Sequence, residues 1–76
     1  MRKADIKRCG VYTDGKGNTR QVLDMGPQYT LYPSQQETDN LQYRILTKKK
    51  GPYTVGDIRN STTAAFASWA KSMVNV

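Results

Sequence analysis

Apolar residues recur at helical spacing in one place only, where Phe66, Trp69, Ala70 and Met73 stand at i, i+3, i+4 and i+7. Asn60, Ser61 and Thr62 offer capping oxygens ahead of them, and Ala64, Ala65 and Ala67 raise helix propensity. Lys71 puts a cation near the C-terminal end, where the helix dipole favours it. The spacing predicts a C-terminal helix within 61–73, from about Thr62 to Met73, anchored on a sheet by Phe66 and Trp69. A core role for these two rings outweighs a ligand-stacking role.

Upstream of that helix the apolar runs are short and cut by Gly and Pro. Val11-Tyr12-Thr13 and Thr19 to Met25 flank Asp14-Gly15-Lys16-Gly17-Asn18, whose glycines supply the positive φ of a tight hairpin. Adjacent Val22 and Leu23 blur the period of the second strand and leave its buried face open. Leu41, Tyr43 and Ile45 alternate with Gln42 and Arg44, which predicts a strand up to Thr47. Lys48-Lys49-Lys50-Gly51-Pro52 reads as a turn, and Tyr53 to Arg59 as a further short strand with a bend at Gly56-Asp57. Between Gly26 and Asn40 lies a long polar connection, with a short strand expected inside it at Tyr29 to Tyr32 and stopped by Pro33. It reads equally as a functional loop and as a solvated excursion.

Seventy-six residues make one domain, and a core of this size supplies only about 3–5 kcal/mol. The fold class expected is mostly β with one C-terminal helix, a small barrel of four or five short strands over 7–59 plugged by the helix. Residues 1–6 are expected to form a flexible basic N-terminus.

The order Lys7-Arg8-Cys9-Gly10-Val11-Tyr12, Gly17-Asn18 with Arg20-Gln21-Val22-Leu23, Tyr43-Arg44-Ile45-Leu46, then Phe66-Ala67-Ser68-Trp69-Ala70 resembles small SH3-like barrel proteins. Short open reading frames of phages and prophages are similar, several with a Phe-x-x-Trp-Ala ending. The resemblance spans Lys7 to Met73 and implies an SH3-like β-barrel and a phage or prophage accessory protein. It brings no catalytic residues with it. Where such proteins carry Gly after the basic pair, this chain has Cys9-Gly10.

Histidine is absent, which removes the near-neutral acid–base group, the Ser-His and Cys-His dyads and the commonest metal ligand. One cysteine makes neither an intrachain disulfide nor a zinc cluster, and a lone thiol fits a reducing, cytoplasmic setting. No apolar run approaches the roughly 20 residues of a membrane span. No catalytic residue, metal site or cofactor is therefore expected, nor a membrane partner. Lys7 and Arg8 would favour the Cys9 thiolate, whereas a lone cysteine in a first strand also reads as a small core residue.

Twelve Lys and Arg against six Asp and Glu give a net charge of +6. The cations fall into Arg2, Lys3, Lys7 and Arg8 at the N-terminus, Lys48, Lys49 and Lys50 at a turn, and Arg20, Arg44 and Arg59 in or beside strands. Three lysines beside a sheet carrying Tyr43 and Tyr53 combine phosphate contact with stacking. The candidate nucleic-acid-binding set is thus Lys7, Arg8, Arg20, Tyr43, Arg44, Lys48, Lys49, Lys50, Tyr53 and Arg59, with DNA or RNA as partner. Solubilising charge is the plainer reading of a lysine run on a turn. The alternative is a protein-interaction module docking on a host enzyme or polymerase through Tyr12, Tyr29, Tyr32, Tyr43 and Tyr53.

Overall fold

The computed structural model describes residues 1–49 and 51–74. It is mostly β with one α-helix. A 3-10 turn at Lys3–Asp5 leads into β1 (Val11–Thr13), β2 (Thr19–Met25), β3 (Asn40–Thr47), β4 (Ile58–Thr62), α1 (Thr63–Trp69) and β5 (Ser72–Met73). The strands form one antiparallel sheet in the order β4-β3-β2-β1-β5, open between its edges β4 and β5.

The hairpin forms where its turn residues place it. Gly15 and Gly17 have φ of 78° and 91°, and the Asp14 carboxylate accepts from the Lys16 and Asn18 backbone N–H groups. The ambiguous Val22-Leu23 pair is resolved by a bulge. Val22 pairs with Tyr43 and Asp24 with Gln42, so Leu23 has no partner on β3 and the strand keeps Val22 in the core. On β3, Leu41, Tyr43 and Ile45 are buried and Arg44 is exposed, so the alternation decides the faces.

Phe66 stands at the centre of the core. Its ring meets Tyr12 edge-on at 5.7 Å, Tyr43 at 5.5 Å and Trp69 at 5.3 Å, and the residue is 1% exposed. Tyr12, wholly buried, is satisfied at its hydroxyl, which accepts from Lys7 N–H at 2.6 Å and donates to the Asp5 carbonyl at 3.0 Å. That pair of bonds leaves no room for a side chain at Gly10. A Cβ there would sit 2.6–2.9 Å from three Tyr12 ring and hydroxyl atoms. Gly10→Ala is expected to cost about 1–3 kcal/mol, read as a lowered thermal midpoint, since the ring is held too firmly to yield.

Four expectations need correction. The helix ends at Trp69, and Met73 lies in β5. Thr62 does cap it, accepting from Ala65 N–H at 3.1 Å, but Lys71 N–H bonds to Thr13 carbonyl and Val74 N–H to Val11 carbonyl. The open edge of β1 thus captures the backbone that another helical turn would have used. The strand placed at Tyr53 to Arg59 instead runs Ile58–Thr62, since Gly51 and Gly56, at φ of 122° and 94°, bend the chain at residues 51–52 and 55–56. No strand forms at Tyr29 to Tyr32. Residues 1–6 fold onto the core: Ile6 is 3% exposed and Lys3 Nζ lies 2.8 Å from the Asp39 carboxylate.

The 26–39 connection is tied down at both flanks. Tyr29 Oη donates to the Asp24 carboxylate at 2.6 Å, and Asn60 Nδ2 donates to the Thr30 carbonyl at 3.1 Å. The Tyr29 hydroxyl, then the Met25 N–H and the nearby Arg8, hold the Asp24 carboxyl below its ordinary value. A depressed folded-state value means that this tie contributes above the unfolded pKa of about 3.9 and is lost as pH falls through the folded one. Tyr29→Phe should move the Asp24 carboxyl titration upward in an NMR pH series, and an unchanged midpoint would show that the hydroxyl bond is not formed.

Candidate nucleic-acid interface

Register decides which predicted residues meet. Thr19 pairs with Thr47 at one end of the β2–β3 ladder, and Met25 with Leu41 at the other. Arg20, on the core face opposite Ile45, reaches over two rings, with its guanidinium carbon 4.8 Å from the Tyr43 centroid and 4.1 Å from that of Trp69. Arg59 pairs with Tyr43 on β4 and lies 4.1 Å above the Tyr53 ring. A cavity of about 30 Å³, room for a water molecule, is lined by Arg20, Ile45, Thr47, Lys48, Tyr53 and Asn18. Arg20, Tyr43, Lys48, Tyr53 and Arg59 therefore converge at one end of the sheet. Lys49 joins them, with its N–H bonded to Asn18 Oδ1 at 3.0 Å.

The remaining candidates separate from this cluster. Arg44 alternates with Tyr43 and Ile45 and so projects from the opposite face, exposed. Lys7 and Arg8 lie beside the far end of β2, where Arg8 Nε is 2.8 Å from the Asp24 carboxylate. Asp24 is five residues from Thr19, roughly 16 Å along the strand. Lys50 lies outside the described residues. Tyr43, 5% exposed, has no face to offer a ligand, and Tyr12 is likewise buried. Trp69, expected as a core anchor, is only half-buried and carries Arg20 on its ring, so part of it belongs to the surface of this cluster. Sequence reasoning missed that contact because the two residues are joined only by the fold.

Ion pairing differs between the two ends, and Lys7, Lys16, Arg44 and Lys71 also have no ion pair among the described residues. Among the described residues the ion pairs are Arg2–Asp5, Lys3–Asp39 and Arg8–Asp24, all drawing on the N-terminal group. The Asp39 carboxyl is held low first by its bond to Lys3, and the Lys3 ammonium is correspondingly raised. No carboxylate among the described residues pairs with Arg20, Lys48, Lys49 or Arg59. Their fixed charge remains uncompensated, and two of the four are stacked on rings that limit their motion.

A second concavity, of about 490 Å³, opens on the outer face, lined by Thr30, Leu31, Gln42, Ile58, Arg59 and Asn60. Cys9 is exposed, with φ of 67°, rather than a core residue. Among the described residues no group of three His, Cys, Asp or Glu side chains is placed to hold a metal ion, and no helix is long and apolar enough to cross a membrane. Comparison with protein-family models, with curated proteins and with solved structures finds no match for this chain.

Proposed function

We propose that this chain is a small non-catalytic module that binds nucleic acid, with Arg20, Lys48, Lys49 and Arg59 contacting phosphates beside Tyr53 and Trp69. The observation that carries the reading is the partition of charge. Carboxylates pair with three of the four N-terminal cations, while Arg20, Lys48, Lys49 and Arg59 have no ion pair among the described residues and two of them, Arg20 and Arg59, sit against aromatic rings. The strand order β4-β3-β2-β1-β5, with α1 between β4 and β5, supports viewing the sheet as an SH3-like barrel. Contact with four phosphates predicts a log–log salt slope of about −3 on single strands and about −4 on duplex. Anisotropy titrations of labelled DNA and RNA over a salt series test this. Binding that fades with that slope supports the reading, and no binding at low salt, or binding indifferent to salt, removes it.

A protein-docking role is the second reading. It is favoured by the two open edges β4 and β5, by exposed Ile58 and Met73 on them, at 49% and 45%, and by Val55, 54% exposed, in the turn before β4. A stoichiometric protein partner that survives nuclease treatment would favour it.

A further inference from the structure

The outer-face groove has the chemistry of a nucleobase site. Its floor is the β3–β4 surface at Gln42, Ile58 and Asn60, and its wall is the connection at Thr30 and Leu31. Leu31 and Ile58 are 57% and 49% exposed, which is apolar surface of the kind that lies against a base face. Amide side chains stand between them. Asn60 uses Nδ2 to hold the Thr30 carbonyl and keeps its Oδ1 as an acceptor, and Gln42 brings both donors and an acceptor. Such amides match the hydrogen-bonding edges of bases. No carboxylate lines the groove, and Arg59 belongs both to it and to the basic cluster, so the two surfaces are continuous. At about 490 Å³ the groove falls in the size range of small-ligand sites.

We propose that this groove receives an unpaired base of a single-stranded nucleic acid whose phosphates run past Arg59 toward Lys48 and Lys49, a proposal that rests on the nucleic-acid reading above. In a duplex the bases are stacked and paired, and their faces cannot enter such a groove. Nor does the chain offer an element for reading a duplex groove through its helix. The seven residues of α1 include no basic side chain.

The test compares one short labelled strand, as DNA and as RNA, with its own duplex at equal low salt, for the wild type and the Leu31→Ala/Gln42→Ala variant. The wild type is expected to bind the single strand more tightly than the duplex. The variant should lose about 5- to 150-fold of single-strand affinity, the range for one bidentate amide–base contact, while duplex affinity and the salt slope stay unchanged because every phosphate-binding cation is kept. Intermolecular NOEs from base protons of the strand to the Leu31 and Ile58 methyl groups of the wild type are expected, a readout independent of any variant's folding. Tighter duplex binding, an unaffected variant, or base-proton NOEs only to residues elsewhere overturns the base site and leaves the phosphate reading standing. Failure of both strand forms to bind overturns both.

Discussion

Phe66→Ala is expected to abolish the cooperative unfolding transition. The ring packs against Tyr12, Tyr43 and Trp69 together, across the sheet and along the helix. Truncating a buried Phe costs about 3–5 kcal/mol, and a core of this size supplies only about that much. Thermal melting by circular dichroism should show no sigmoidal transition for the variant, whereas Phe66→Leu, which keeps most of the volume, should melt cooperatively below the wild type. Trp69→Ala should cost less, since Trp69 is half-buried and Arg20 covers one side of it. A Trp69→Ala variant less stable than Phe66→Ala would reverse the order of importance assigned to the two rings.

The second large effect is on binding. Lys48→Glu/Lys49→Glu/Arg59→Glu removes three of the four uncompensated cations of the cluster, all of them exposed, and reverses their sign. Affinity for nucleic acid is expected to fall by about 100-fold or more at low salt, and the salt slope to shrink by about one for each phosphate left without its cation. The fold should survive, because none of these side chains enters the core. Lys7→Gln/Arg8→Gln, at the far end of the sheet, serves as the control, with a change of less than about threefold. If the control weakened binding as much as the triple variant, the charge would be acting diffusely and the cluster would not be a site.

How much of this was legible in the sequence follows from which interactions are local. The first hairpin was, because Asp14 to Asn18 determine their own turn and the strands follow from it. So was β3, where alternation alone sorts Leu41, Tyr43 and Ile45 from Gln42 and Arg44. The end of the helix was not. Residues 70–73 have helical spacing and alanine-rich neighbours, yet the unpaired edge of β1 draws Lys71 and Val74 into backbone bonds with Thr13 and Val11. Tyr53 and Val55 alternate like a strand, but the turn at Val55-Gly56 breaks it, and the ladder on β3 passes instead through Asp57 carbonyl and Ile45 N–H to Ile58 and beyond. Of the candidate site, the residue types were visible and their grouping was not. Arg44 and Tyr43 adjoin in sequence and face opposite ways, while Arg20 and Trp69 adjoin only in space. The neutralisation of Arg8 by Asp24 likewise needed the chain to bring Arg8 alongside β2, where Cys9 N–H meets the Val22 carbonyl.

On the proposed function, one end of the sheet, and not the diffuse charge of the chain, takes the nucleic acid. Amide chemical-shift mapping during titration with a short single-stranded oligonucleotide measures this most directly. Shifts are predicted at Asn18, Arg20, Ile45, Thr47 to Lys49, Tyr53, Arg59 and the Trp69 indole N–H, fading together as salt is raised. Perturbations centred on Lys7, Arg8 and Asp24, or spread evenly over all cations, would contradict it.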